Sequence, residues 1–366
     1  MNKFKYLSVI LTLLVFFTGC GVGGHKVVDK LQLQTPSYSS ASEAVLKFME
    51  RGGDYINQKN APYLLPNDDV FYNGKDYLVI DIRDSADYVA GHINGAVRVD
   101  VNKIFAYLEK KGAGQYDKVV IAGNTGINSS YVASVLRAAG YNAFPLKEGM
   151  ASWNKVFTHY WTDGVSSAYA SKVTDKAFEK APKGKLPQLK VKQDFAGLML
   201  KERAQKVIGD NFIVTVDDVM KNAGDYYIVA YLPKAKYDVA HLPGAVQYTP
   251  KKSLKLDAEL TTLPTDKKIA VYCYTGQHAA AVTGFLRILG YDAYVIDKGM
   301  NGIMFSKVKT YGWHPYVASE KVKDYPLVKG NKPSDKKVVA VAKKQSAGPA
   351  PVIKRKKKEA AGGGCD

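Results

Sequence analysis

Residues 267–282 read KKIAVYCYTGQHAAAV, and this segment indicates the fold class because it joins three different local patterns. A continuous apolar run predicts a buried strand over Lys267–Tyr272. Small apolar residues from Ala279 onward predict a helix, and a short loop from Cys273 to His278 joins the two. A buried strand, a tight loop and a helix in this order are typical of an α/β domain with a mainly parallel sheet.

The same pattern occurs earlier in the chain, where residues 117–132 read DKVVIAGNTGINSSYV. Several further segments recur in the same order at an offset of 149 or 150 residues. The matched pairs are Asp68–Val70 with Asp217–Val219, 91–97 with 240–246, Thr125-Gly126 with Thr275-Gly276, 136–143 with 286–293, and Gly149-Met150 with Gly299-Met300. A constant order and a nearly constant offset indicate two copies of one domain.

Each copy alternates predicted strands with helices, so the predicted fold class is α/β, with two mainly parallel sheets that carry helices on both faces. The expected strands are 77–82, 96–99, 118–122 and 143–146 in the first copy, and 226–232, 245–248, 267–272 and 293–296 in the second; the expected helices are 101–111, 129–139 and 279–289. The domains are placed at 42–165 and 191–325, with a Lys-, Ala-, Ser- and Pro-containing linker at 166–190 and a basic, disordered tail at 326–366.

Composition agrees with two ordered domains and gives no sign of a nucleic-acid module. The chain has 366 residues, of which 46% are hydrophobic, which is enough for two cores of ordinary size. The net charge is +18, and residues 331–366 alone hold ten Lys or Arg against three Asp or Glu. This charge favours anionic partners, but no sequence signature of a specific nucleic-acid site accompanies it.

The N-terminus is predicted to be a lipoprotein signal peptide over residues 1–19. Lys3 and Lys5 precede a short apolar run over 6–17, and Phe17-Thr18-Gly19 then leads to Cys20, which resembles a bacterial lipidation site. An ordinary secretory signal is the alternative. In either case we expect export, and with Cys20 acylated the protein is anchored to a membrane on the periplasmic face of the cell envelope. The residue after Cys20 is Gly21 rather than the Asp that signals retention in the inner membrane, so anchoring to the outer membrane is compatible with the sequence.

Cys273 is the candidate nucleophile. At the carboxyl end of a parallel strand it lies where such sheets bind ligands, and the N–H groups of the following helix point at the loop. This field is expected to lower the pKa of the thiol and to hold an anion against the sulfur. The alternative is a buried structural cysteine. Cys20 and Cys365 lie far away in sequence, so no disulfide framework is predicted.

Together these residues resemble the rhodanese family of sulfurtransferases. The resemblance rests on Asp81-Ile82-Arg83, His92-Ile93-Asn94-Gly95-Ala96, the Cys273 loop before a helix, and the Gly-Met pair near the end of each copy. It implies that Cys273 takes a sulfane sulfur from an anionic donor, thiosulfate or a polysulfide, and passes it as a persulfide to cyanide or a thiol. It also implies a substrate pocket formed by Tyr274, Thr275, Gly276, Gln277, His278 and Ala279.

Three positions depart from the family pattern. Gly123 occupies the place of Cys273 in the first copy, so that copy is expected to be inactive. The second copy has Ala230-Tyr231-Leu232 where the first has Asp81-Ile82-Arg83, which removes a charged pair and makes thiosulfate a doubtful donor. His278 stands where the family often has Arg. Because histidine is only partly charged near pH 7, dianion binding is expected to weaken as pH rises.

Two other functions are compatible with this fold. A phosphatase or arsenate reductase would have Arg six residues after the cysteine, but Ala279 occupies that position. A non-catalytic sulfur carrier or binding module would hold persulfide on Cys273 without turnover. His92 and His241 occupy matching positions and are therefore interpreted as structural. No metal-ligand cluster or nucleotide-binding glycine motif is found, so neither a metal nor a cofactor is predicted.

Overall fold

The computed structural model describes residues 38–331. The predicted signal peptide, Cys20, Cys365 and most of the basic tail lie outside these residues. Within them the chain forms two α/β domains, each built on a parallel sheet that is covered by helices on both faces.

The first domain carries four strands. They are β1 (Tyr77–Asp81), β2 (Val97–Arg98), β3 (Lys118–Ala122) and β4 (Ala143–Pro145). Its helices are α1 (Ala41–Arg51), α2 (Asn67–Asn73), α3 (Ser85–Ala90), α4 (Ile104–Lys111), α5 (Ile127–Ala138), α6 (Met150–Trp153) and α7 (His159–Thr162). Short 3-10 helices cover Gly74–Asp76, Val101–Lys103, Ala113–Gln115 and Lys155–Phe157.

The second domain carries five strands. They are β5 (Ile213–Val214), β6 (Tyr226–Tyr231), β7 (Val246–Tyr248), β8 (Lys268–Tyr272) and β9 (Ala293–Ile296). Its helices are α8 (Ala196–Val207), α9 (Val216–Lys221), α10 (Lys234–Tyr237), α11 (Gln277–Ile288), α12 (Met300–Ile303), α13 (Phe305–Tyr311) and α14 (Ala318–Lys321), with a 3-10 helix at Leu260–Thr262.

All strand pairs named here are parallel, as the apolar runs predicted. The strand order is β2-β1-β3-β4 in the first sheet and β5-β9-β8-β6-β7 in the second. A single parallel bridge between Leu65 and Leu146 stands where the second domain has the β5–β9 pair. Strands β3 and β8 are internal in their sheets, so the loops that follow them leave from the middle of each domain.

The two domains share one hydrophobic core, whereas composition alone suggested two separate ones. Alternate residues of each strand face this core, including Ile121 in β3 and Val271 in β8, and each sheet packs a separate core on its outer face. Helices α5 and α11 pack against each other inside the shared core. The Ser134 hydroxyl on α5 donates to the Ala281 carbonyl on α11 over 2.7 Å. The two domains therefore pack against each other and bury a common hydrophobic interior.

Two extended segments cross the outer faces of the domains, and each pairs with one of the two histidines that occupy matching positions. Thr174 of the predicted linker exchanges two backbone hydrogen bonds of 2.9 Å with His241, and Val328 exchanges the same pair with His92. Both imidazoles are fully buried and stack on the tyrosine four residues earlier. The histidines therefore have the structural surroundings predicted for them. The tail placed at 326–366 begins with an ordered segment packed on the first domain.

Candidate active site

The Cys273 loop, residues 273–276, follows the central strand β8. Gly276 has φ +77°, a left-handed conformation that glycine adopts without strain, and it turns the chain directly into α11. The helix begins at Gln277, two residues before the start predicted from the alanines. Gln277 and His278 therefore belong to the first helical turn, and the backbone N–H groups of this turn have no acceptors within the helix.

The sulfur of Cys273 lies over this helix start. The Ala279 N–H donates to Sγ over 3.4 Å, and the thiol is only 5% exposed. Burial raises the pKa of the thiol above its ordinary value, and the N–H groups of Ala279, Thr275, His278 and Gly276 offset only part of this effect. The expected fall in pKa is therefore wrong, because removing the thiolate from water outweighs the helix field. The resting group at neutral pH is a protonated thiol.

Tyr231 forms a wall of the site that sequence analysis missed. Ala230 pairs with Tyr272, so one residue further along the strands Tyr231 lies beside Cys273, and both side chains face the shared core. The Tyr231 oxygen accepts the backbone N–H of Lys251 over 2.7 Å. The signal was present in the sequence, where the Ala-Tyr-Leu triplet was interpreted only as the loss of a charged pair.

His278 completes this wall as a neutral group. Its ring meets the Tyr231 ring edge-on, with 4.9 Å between centroids and 88° between planes. Burial, together with the positive charge of Lys251, lowers the pKa of His278 to about 3. Its buried Nε2 atom has no hydrogen-bond partner among the described residues. The imidazole is uncharged at neutral pH, so the expected pH-dependent anion binding through His278 is wrong.

Two other residues predicted to contact substrate point elsewhere. The Gln277 side chain is 1% exposed, and its oxygen accepts the Glu148 N–H of the first domain over 2.8 Å. The Tyr274 ring packs beside His314, with 5.1 Å between ring centroids. The backbone N–H groups of the loop and helix start, rather than these two side chains, surround the sulfur.

The Gly-Met pair near the end of each copy contacts the backbone of the loop that follows the internal strand. The Met300 N–H donates to the Cys273 carbonyl over 2.9 Å, and a Cβ on Gly299 would lie 2.2 Å from that oxygen. In the first domain the Met150 N–H donates to the Gly123 carbonyl over 2.8 Å. The repeated motif was visible in the sequence, and its role is to support the loop.

Asp81 and Arg83 form a buried ion pair in the first domain, with 2.7 Å between the guanidinium Nη2 and the carboxylate Oδ2. The same nitrogen donates to the Gly91 carbonyl over 2.7 Å, and the guanidinium stacks on Phe157. The pair therefore stabilises the domain interior.

Among residues 38–331, no three His, Cys, Asp or Glu side chains come together as metal ligands. None of the helices in this range has the length and apolarity needed to cross a bilayer.

Comparison with known proteins identifies the repeated unit. The family described as "Rhodanese-like domain" matches residues 71–156 and again 215–305. The chain contains two rhodanese-like domains in tandem. Both matches include the loop after the central strand, so the Cys273 loop and its Gly123 counterpart occupy the same place in the rhodanese-like fold.

Individual relatives of these rhodanese-like domains are distant. The uncharacterized protein YibN of Escherichia coli is 30% identical over 87 residues, which cover 22% of this chain and 58% of that protein. A thiosulfate sulfurtransferase from Pseudomonas aeruginosa is 14% identical, covers 70% of this chain and 46% of its own, and has a TM-score of 0.27. A rhodanese-related protein from Thermoplasma volcanium is 21% identical, covers 32% of this chain and 97% of its own, with a TM-score of 0.23.

Proposed function

We propose that the protein is a sulfurtransferase that moves a sulfane sulfur through a persulfide on Cys273. The observation that carries the proposal is the position of the sulfur, which lies 3.4 Å from the Ala279 N–H at the start of α11, within a rhodanese-like domain. The first domain has Gly123 at this place, so it has no nucleophile of its own.

The first half-reaction loads sulfur. Cys273 loses its proton to solvent, and the thiolate attacks the outer sulfur of thiosulfate or a polysulfide. A new S–S bond forms as the S–S bond of the donor breaks, and sulfite or a shortened polysulfide leaves with the electron pair. The N–H groups of Ala279 and its neighbours stabilise the negative charge while it lies on the sulfur of Cys273.

The second half-reaction unloads sulfur. Cyanide or a thiolate attacks the outer sulfur of the persulfide and forms thiocyanate or a new persulfide, and Cys273 leaves as the thiolate with the electron pair of the broken bond. Tyr231 and neutral His278 form the wall beside these atoms. We include the loop residues Thr275, Gly276 and Ala279 in the site through their backbone N–H groups.

A carrier without turnover is the second candidate. It is favoured by the 5% exposure of Cys273 and by the raised pKa of its thiol, since both slow attack on a donor. A carrier would take up sulfur stoichiometrically and release it only to a partner.

We also propose an exported, membrane-anchored location through acylation at Cys20, as the N-terminal sequence suggests. Intact mass spectrometry of the protein purified from a bacterial membrane tests this. An N-terminal acylated Cys20 supports it, and an N-terminus without acyl mass contradicts it.

A turnover assay tests the enzymatic proposal. Purified protein is mixed with thiosulfate or polysulfide as donor and cyanide as acceptor, and thiocyanate is measured over time. Continuous production that Cys273→Ser abolishes supports the sulfurtransferase. A persulfide on Cys273, seen as one added sulfur in the intact mass, without production of thiocyanate supports the carrier, and equal rates in both proteins contradict both functions.

A further inference from the structure

One side chain joins the Cys273 loop to the first domain. The Gln277 oxygen accepts the backbone N–H of Glu148 over 2.8 Å, and the Gln277 amide nitrogen donates to the Thr275 hydroxyl over 3.1 Å. One end of this amide is therefore fixed by the first domain, and the other end holds a loop residue whose N–H lowers the pKa of Cys273.

Packing supports the same connection. A Cβ on Gly126 would lie 2.4 Å from the Gln277 oxygen, so the missing side chain there provides the space for the amide. Ile127 of the first domain packs on Gly276, with its Cδ1 atom 3.1 Å from the position of a Cβ. The first domain thus contacts the very residue at which the loop turns into α11.

The segment of the first domain that binds Gln277 is itself held in place. Next to Glu148, Gly149 lies so close to the Gly123 loop that a Cβ would stand 2.5 Å from the carbonyls of Gly123 and Asn124. The two loops are therefore connected through backbone contacts at one end and the Gln277 amide at the other. No matching side-chain amide of the first domain reaches the second domain, because Ile127 occupies the position that corresponds to Gln277.

We propose that the first domain, which has no nucleophile, positions the Cys273 loop through Gln277, and that this contact keeps the loop N–H groups directed at the sulfur. Gln277 is a positioning residue, since its side chain does not face the sulfur. The relevance of this contact to catalysis rests on the proposed persulfide function. The effect of the Gln277 contact on the Cys273 thiol does not depend on that function, so the positioning role and the persulfide function can fail separately.

The test measures the pH dependence of iodoacetamide alkylation at Cys273, followed by the mass of the peptide that contains it. Gln277→Met keeps the length of the side chain but removes both hydrogen bonds. We expect a higher apparent pKa for Cys273 and alkylation at pH 7 slowed by roughly threefold to tenfold, because the loop donors are less well aligned.

Ser134→Ala is the matched control. It removes another hydrogen bond between the domains, the 2.7 Å contact with the Ala281 carbonyl, which lies one helical turn beyond Gln277 and does not involve a loop residue. We expect it to lower the melting temperature without moving the alkylation profile. If Gln277→Met lowers stability but leaves the profile of Cys273 unchanged, Gln277 is merely structural and the proposal is wrong.

A second pair of variants changes the first domain without substituting Gln277. Gly126→Ala displaces the Gln277 amide, whereas Gly140→Ala introduces similar backbone strain at φ +93° where a Cβ has open space. The proposal requires Gly126→Ala alone to shift the alkylation profile. Equal behaviour of the two variants would overturn it, including in the case where Gln277→Met does not fold.

Discussion

The N–H of Ala279 lies 3.4 Å from Sγ of Cys273, and the matching N–H in the first domain faces a glycine. There a Cβ on Gly123 would stand 3.4 Å from the nitrogen of Ser129, which is an ordinary contact. The first domain thus keeps the helix start of the rhodanese-like loop and lacks the thiol. Differences in chemistry between the domains come from a few side chains placed on one common backbone.

Gly299→Ala is expected to disrupt the Cys273 loop. The new Cβ would lie 2.2 Å from the Cys273 carbonyl at φ +54°, so the loop must move, at a cost of about 1–3 kcal/mol from the backbone alone. Gly149→Ala creates the matching conflict in the first domain, where the new Cβ would lie 2.5 Å from the Gly123 carbonyl oxygen. Urea unfolding should show that both variants are destabilised. Gly299→Ala is expected to abolish alkylation and sulfur loading at Cys273, whereas Gly149→Ala, which reaches the loop only through Glu148 and Gln277, is expected to slow them. Loss of both in Gly149→Ala would contradict this separation.

Arg83→Leu is expected to destabilise the protein by about 3–5 kcal/mol, because it leaves the Asp81 carboxylate buried without its cation. Leu and Ala are the residues that the second domain has at these two positions, Leu232 and Ala230. The double variant Asp81→Ala/Arg83→Leu should therefore recover most of the lost stability in urea unfolding. A double variant less stable than Arg83→Leu would refute the structural interpretation of the pair.

His278 should make the protein sensitive to acid. The pKa of this histidine falls from 6.5 to about 3 on folding, so below pH 6.5 the unfolded chain binds a proton that the folded chain does not. Stability is then lost as pH falls from about 6.5 toward about 3. His278→Asn copies Asn128 of the first domain, and its melting temperature should fall less between pH 7 and pH 4 than that of the unchanged protein. Parallel curves would exclude this role for His278.

Much of the fold follows from local patterns in the sequence. The strand predicted over Lys118–Ala122 matches β3, and that over Ala293–Ile296 matches β9, because continuous apolar runs between turns have few other solutions in an α/β domain. Helix α1 and the short edge strand β5 were missed. The two-residue strand β5 depends on its pairing with β9, which no local pattern shows. Helix α1 does have a local signal, because the Ser40 side chain caps its start by accepting the Glu43 N–H.

The site was predictable in position but not in electrostatics. The repeat identified Cys273 and its counterpart Gly123, and the Gly-Met motif marked the segment that supports each loop. The raised pKa of the Cys273 thiol and the neutral state of His278 depend on how deeply these groups are buried. Gln277 turns toward Glu148 instead of the pocket because the two domains share one core, which the sequence pattern did not reveal.

The persulfide on Cys273 can be measured as a change in the mass of the intact protein. Purified protein and Cys273→Ser are incubated with thiosulfate or polysulfide, and intact masses are recorded before and after addition of cyanide. We expect that only the protein with Cys273 gains the mass of one sulfur atom and that cyanide removes it. If no such adduct forms, or if Cys273→Ser gains it equally, Cys273 is not the sulfur-transferring residue.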